Sequence, residues 1–293
     1  MGGVMNLPLW QAYIERICGF VLPSVQHNWL IYAITTTAQS HNMSVHELYD
    51  ALQHDIVVPS EPLPALTQSL LDNLLIAESR FFRHEPSLTF VGELYKSYIT
   101  KWHKATPSFD VPSMFSVWSA GCSTGQETYS LAMTLDLISR QFVRPLPFQV
   151  NGSDLSVRSL TLAKKGEYTG RQINEIPARY HSQLHATHDG VGVFNHQKIW
   201  QVDIKTRQHT QFFWHNLFAK QPLDLPKQQV IICQNVLIYF RKFDQRDILA
   251  YFVQNLDIGG CVLFAPNEAM FWQHPNMRRV DNGQINAWQK ISQ

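Results

Sequence analysis

The sequence predicts an α/β protein: a parallel-sheet domain with a small antiparallel β insertion, preceded by an all-α helical domain. Three observations predict it. Up to about residue 80 the apolar residues recur at helical spacing with no strand signal. From Met114 onward, short apolar runs alternate with helix-period segments, the rhythm of βα units. Between about 180 and 215, Phe194, Ile199, Gln201 to Ile204 and Gln211 to Trp214 cluster between Gly, Asn and Asp turns and read as short strands of an insertion.

The 293 residues suffice for a large core and two domains. A formal charge of +1 provides no bulk field for nucleic acid, so any electrostatic docking must come from a local patch. Cys18, Cys122, Cys233 and Cys261 stand far apart with no C-x-x-C pair, which fits reduced thiols better than disulfides or zinc. The thirteen histidines show no ligand spacing, and no metal is expected. The apolar run from Ile17 to Pro23 is too short to span a bilayer, and no cationic segment of a signal peptide precedes it. The expectation is a cytoplasmic monomer without membrane insertion.

Taken in order, Trp10, Tyr13, Ile14, Ile17 and Val21 share one helical face. Ser44 to Glu47 forms a capping box opening a helix with Leu48, Tyr49 and Leu52. After Pro59, Pro62 and Pro64, a third stripe carries Leu66, Leu70, Leu71, Leu74 and Leu75. Before Arg80 the only Lys or Arg is Arg16, against Glu15, Glu47, Asp50, Asp55, Glu61, Asp72 and Glu78. This bundle is acidic.

Glu78 to Pro86 sets Phe81 and Phe82 between Arg80 and Arg83. Either the rings are buried and the guanidiniums solvated, or the rings anchor a segment that aims an arginine at a carboxylate or a ribose, which its planar fork suits. A further helix follows through Leu88, Val91, Leu94, Tyr95 and Tyr98. Lys104 to Pro112 reads as a linker, giving a helical domain with its linker helix over 1–103 and a second domain over 113–293.

The stretch from Trp118 to Glu127 joins a short buried strand to a helix carrying Tyr129, Ala132, Met133 and Leu137. Gly121 and Gly125 can take positive φ and admit a ligand close to the backbone, while the next helix offers free N–H groups. A tight turn without a ligand is the alternative. Some thirty residues on, Asp154 ends a second strand, where an acidic side chain can accept from two ribose hydroxyls or cap the helix starting near Val157. That helix stops at Gly166. Val230 to Cys233 is a further buried strand, followed by a helix from Phe243 to Leu256, a strand over Cys261 to Phe264 and a last strand over Ile285 to Ile291.

Together, Ser79-Arg80-Phe81-Phe82-Arg83, Trp118 to Ser130, the Asp154 block, Lys165-Gly166-Glu167-Tyr168 and Asn235-Val236-Leu237-Ile238-Tyr239-Phe240 resemble the chemotaxis-receptor methyltransferase (CheR) family, in the family's order from about residue 75 to 291. The preferred subgroup is the PilK-type branch serving pilus-driven twitching, from the acidic bundle and the absence of receiver, repeat or membrane segments. The resemblance implies a Rossmann-like methyltransferase domain, S-adenosyl-L-methionine as cofactor, S-adenosyl-L-homocysteine as product, and a glutamate of a methyl-accepting receptor as acceptor. Nucleic acid is not an expected partner.

By position, Ala77, Ser79 and Arg83 would close over the cofactor, and the stretch from Gly121 to Gln126 would pass beside its amino-acid end. Asp154 would hold the ribose, with Asn216 and Leu217 near the adenine. Gln234 and Asn235 with Tyr239 would border the methyl group and the incoming carboxylate, which Arg83 and Tyr239 would orient as catalytic groups. Compared with the family pattern, Gln126-Glu127 replaces Glu-Glu, Cys233-Gln234-Asn235 replaces Cys-Arg-Asn, and Ala265 to Glu268 replaces Gly-His-Ser-Glu. These exchanges leave open a second reading, a non-catalytic S-adenosylmethionine-binding sensor or scaffold of a chemosensory array.

Overall fold

The computed structural model describes residues 5–58, 61–75, 78–105, 114–187, 198–280 and 283–292. Phe194 and Ala77 lie outside them. Four helices come first: α1 (Leu7–Cys18), α2 (His27–Ser40), α3 (Val45–His54) and α4 (Ala65–Leu74). Their shared core contains Trp10, Ile14, Leu30, Ile34, Leu48 and Leu70, each at most 3% exposed. The capping box forms as read, with Ser44 Oγ accepting the Glu47 N–H and the Glu47 carboxylate accepting the Ser44 N–H.

After α5 (Glu85–Ala105), the chain builds β1 (Phe115–Ala120), α6 (Gln126–Ser139), β2 (Phe148–Asp154), α7 (Val157–Lys165), β3 (Glu167–Thr169) and α8 (Gly170–Ile173). Then come β4 (Leu184–Ala186), β5 (Ile199–Val202), α9 (Ile204–Arg207), β6 (Thr210–Trp214), β7 (Gln228–Cys233), α10 (Lys242–Asn255), β8 (Leu256–Phe264), β9 (Met277–Arg279) and β10 (Asn286–Lys290). The main sheet runs β6-β2-β1-β7-β8-β10-β9. Its first five strands are parallel, and β10 and β9 complete it antiparallel.

Both faces of the sheet are covered, which is why every residue of β1 and β7 is buried rather than every second one. Val117, Val150, Val230 and Ile232 face α5 and α6, while Trp118, Ile231, Cys233 and Phe264 face α10. Thus α5, which sequence reading grouped with the helical bundle, spends Leu88, Val91, Tyr95 and Ile99 on the sheet. Gly166 caps α7 with φ +63°, as its position predicted. The four cysteines are buried and free.

The insertion needs a correction. A three-stranded antiparallel sheet exists, in the order β3-β5-β4, but Thr210–Trp214 is not part of it. That strand pairs parallel with β2 from Val150↔Thr210 to Asp154↔Trp214 and forms an edge of the main sheet. Likewise, Ile204 begins the short helix α9 instead of ending a strand, because Asp203 accepts the Lys205 N–H as its cap.

The bundle sits against the carboxyl ends of the parallel strands. Asn216 Nδ2 donates to the Ile17 carbonyl at 3.0 Å, and the Val21 N–H donates to the Tyr239 carbonyl at 2.9 Å. Ser156 Oγ donates to Asp72 of α4 at 2.7 Å, and Arg241 forks onto both oxygens of Glu15. Leu155 and Trp214 pack into the bundle's core. Among the described residues no helix is long and apolar enough to cross a membrane.

Candidate active site

In this sheet the strand order reverses at β1, which has β2 on one side and β7 on the other. Loops leaving the carboxyl ends of strands at such a point diverge and leave a crevice. A cavity of about 350 Å³ lies there, walled by the turn after β1, Asp154 and Leu155, His215 to Leu217, and the segment from Gln234 to Phe240. Residues 78–88 and Phe20, Leu22, Gln26 and Trp29 from the bundle close it.

The turn after β1 is shaped by steric demands. Gly121 has φ +82°, and a Cβ there would stand 2.4 Å from Val236 Cγ2, so only glycine lets the β1 and β7 loops meet. Gly125 has φ +92°, and a Cβ there would meet Ala163 at 2.9 Å where α6 crosses α7. Asp154 braces this turn: its carboxylate accepts the Ser123 N–H at 2.8 Å and the Ser156 N–H at 2.9 Å. The cap of α7 is Ser156, which accepts the Ser159 N–H, so Asp154 is not the capping residue. Burial raises the Asp154 pKa above the usual carboxylate value, and the N–H groups of Ser156, Ser123 and Leu155 oppose that shift.

The two phenylalanines resolve their own ambiguity. Phe81 is 2% exposed with its ring edge-on to Tyr168, Phe82 stacks on Tyr180, and the Phe82 N–H donates to Ser130 Oγ. Phe82 takes φ +51°. This anchored turn delivers Arg83, exposed at its tip, to the crevice wall. Across the cavity, Tyr239 is half-buried and stacks on Phe20. Burial raises the Tyr239 phenol pKa, and the Arg83 charge pulls it back down.

Of the residues named from sequence, Ser79, Arg83, Gly121, Asp154, Asn216, Leu217, Gln234, Asn235 and Tyr239 all line the cavity. Ala77 lies outside the described residues. Gln126 is not brought to the wall: it is 1% exposed and its carbonyl accepts the Thr124 hydroxyl. One residue on, a helix has turned about 100°, and it is Glu127 that faces the crevice. The Asn216 side chain also does structural work, since its carbonyl accepts the Phe218 N–H while its amide holds Ile17.

Sequence reading did not single out three contributors to the site, although Ser123 falls within the Gly121 to Gln126 stretch it placed beside the cofactor. Ser123 lines the cavity, and among the described residues its buried hydroxyl has no partner. Glu127 accepts the Ser119 hydroxyl at 2.7 Å; burial pushes its carboxyl up to about 7, against the attraction of Arg83. Glu268, 6% exposed, accepts the N–H groups of Asn235 and Ala265 and holds Asn235 at φ +60°. The motif positions of Glu127 and Glu268 were visible, but the rotation of α6 orients Glu127, and the fold of the loop after β8 over Asn235 orients Glu268.

A reversed parallel sheet with a glycine turn, an acidic residue ending the second strand and a crevice over both defines an α/β protein built to hold a nucleoside cofactor. The chain belongs to the CheR methyltransferase family: the family model described as "CheR methyltransferase, SAM binding domain" matches residues 77–286. It is similar to Chemotaxis protein methyltransferase Cher2 of Pseudomonas putida, 26% identical over 274 residues, covering 92% of this chain and 91% of that protein. It is also similar to Chemotaxis protein methyltransferase 1 of Pseudomonas aeruginosa, 28% identical over 273 residues and 90% of each chain. The protein is an S-adenosylmethionine-dependent methyltransferase.

The residues present fit that cofactor. Among the described residues the buried Ser123 hydroxyl has no partner, Gly121 lines the cavity beside it, and Asp154 and Glu127 place two carboxyl groups in the same crevice. Glu127 is expected to make cofactor affinity pH-dependent, rising as the pH climbs toward its raised pKa. The carboxyl is protonated below about 7 in the free protein, and a bound cation favours its ionised form, so binding expels a proton. Calorimetry at pH 6 in two buffers of different ionisation enthalpy is expected to show nearly one proton released per S-adenosylmethionine bound, and far less in Glu127→Gln. Equal heats in both buffers would remove Glu127 from the cofactor's surroundings.

Proposed function

We propose that this methyltransferase esterifies glutamate side chains of a methyl-accepting chemotaxis receptor. The observation that carries the reading is that the crevice brings the carboxyl groups of Asp154 and Glu127 together with the Arg83 guanidinium, whose charge acts on both Glu127 and Tyr239. The carboxyl groups suit a cationic cofactor, and the guanidinium suits an anionic acceptor. The names of the relatives, chemotaxis protein methyltransferases, support the same acceptor class. The acidic bundle, with Arg16 as its only Lys or Arg before Arg80, supports the narrower reading of a receptor from a pilus chemosensory system.

Bound S-adenosylmethionine supplies an electrophilic methyl on a sulfonium. The residues' task is then alignment. A glutamate carboxylate, with an ordinary pKa of about 4.3, is already ionised at neutral pH and needs no base to remove a proton. Asp154 and the turn it braces would hold the ribose end, Glu127 would meet the ammonium, and Arg83 with Tyr239 would orient the incoming carboxylate. Such alignment is worth several kcal/mol of a barrier, on the order of 7–11 when complete. Burial by the bundle helps further, because a cation and an anion are consumed together.

The sensor reading drew on Gln126 and Gln234, and Gln126 stands away from the crevice wall. The test separates the two readings. Incubated with methyl-labelled cofactor and a receptor fragment containing its methylation helices, the protein should place label on the fragment, and base should release that label as volatile methanol. Label that withstands base, or no label despite bound cofactor, would sink the esterification.

A further inference from the structure

A run of hydrogen bonds crosses the crevice wall from the end of β8 to the turn after Arg83, and the chemistry of its members fixes the direction of each proton. Gln234, just past β7, donates through Nε2 to the Phe264 carbonyl at 3.2 Å. A carbonyl only accepts, so the orientation of the Gln234 amide follows. The same nitrogen donates to Ser87 Oγ at 3.0 Å. The Ser87 hydroxyl hydrogen is then available for His84, whose Nδ1 lies 2.8 Å away.

An independent contact sets the same direction. The Ser87 backbone N–H is shared between the His84 carbonyl at 3.1 Å and His84 Nδ1 at 3.3 Å, and an N–H only donates. Nδ1 is therefore the accepting nitrogen, and the neutral ring carries its proton on Nε2. Ser87 is 1% exposed, so the arrangement is built in and not a chance surface contact. His84, Ser87 and Gln234 all line the cavity, beside Arg83 and together with Tyr239.

Building on the proposed function, we propose that Gln234 and Ser87 hold His84 as an Nε2–H hydrogen-bond donor for the acceptor carboxylate, working beside Arg83. His84 touches the substrate, and Ser87 and Gln234 are positioning residues. The donors of residues 83 and 84 call for an anion. The acceptor is favoured over the cofactor's own carboxylate because the relay starts at the end of β7, on the side of Tyr239, whereas the turn from Gly121 to Glu127 receives the cofactor's amino-acid end. A neutral donor adds directionality to the Arg83 charge without a second cation to desolvate.

The experiment combines kinetics with a measurement that needs no turnover. His84→Phe and Ser87→Ala are each expected to lower kcat/KM for the receptor fragment on the order of tenfold to a hundredfold. Their affinity for S-adenosylhomocysteine should stay within about twofold of wild type. Nitrogen NMR of the labelled His84 ring should show the Nε2–H form in the wild type and a mixture of tautomers in Ser87→Ala.

Unchanged kcat/KM in both variants would overturn the proposal. So would a loss of S-adenosylhomocysteine affinity that accounts for the whole effect, or an Nδ1–H ring in the wild type. If the wild type transfers no methyl at all, the proposed function falls with it; the ring tautomer, read without turnover, still decides whether the relay exists.

Discussion

Asp154→Ala is expected to leave the protein folded and unable to bind S-adenosylhomocysteine at concentrations that saturate the wild type. Two effects add. Removing the carboxylate takes the acceptor from the Ser123 and Ser156 N–H groups, each costing about 1–3 kcal/mol if left unsatisfied, and so loosens the glycine turn. It also deletes the charged acceptor for the ribose, whose hydrogen bonds are worth about 1.5–3 kcal/mol apiece. Two such bonds correspond to more than about a hundredfold in affinity. Calorimetry reads the affinity and circular dichroism the fold. Retained affinity would move the ribose away from Asp154.

Gly121→Ala is the second large effect. A side chain there sits at φ +82°, in strain worth about 1–3 kcal/mol. It also drives into Val236, a wall of the crevice, at 2.4 Å. Methyl transfer and cofactor affinity should both fall by at least about tenfold, and the melting temperature by several degrees, on the order of 2–4 °C per kcal/mol. Gly283→Ala is the matched control, because Gly283 has φ +80° and, among the described residues, no atom within 4 Å of an added Cβ. It should show strain without loss of cofactor affinity. If the two variants bind cofactor equally well, the contact between the β1 and β7 loops is irrelevant to the site.

What could be read from the residues follows from how local each signal was. The strand, glycine turn and helix around Gly121 were legible because an apolar run, two residues free of Cβ and a change of period all fall within about twenty positions. The Ser44 capping box and the Gly166 cap were legible for the same reason: both ends of each interaction lie within one turn. The partner of Thr210–Trp214 was not. Five residues that cluster as a strand fit a local hairpin and a sheet edge equally well, and only the packing of α7 and α9 brings them beside β2.

The site divides along the same line. Asp154 and Gly121 line the cavity because each stands at a strand end, and Tyr239 lines it from the short turn that follows β7. Gln126 and Glu127 were adjacent letters with opposite fates, decided by the rotation of a helix whose start could not be fixed from sequence to within one residue. The His84, Ser87 and Gln234 relay joins positions 147 residues apart. No local pattern announces such a contact.

The most direct test is a crystal structure of the protein with S-adenosylhomocysteine. It should show the product lying along Gly121 and Ser123, with both ribose hydroxyls on Asp154, the ammonium at Glu127 and the sulfur facing the side of Gln234 and Tyr239. Product bound elsewhere, or a crevice filled by its own side chains under saturating product, would contradict the account.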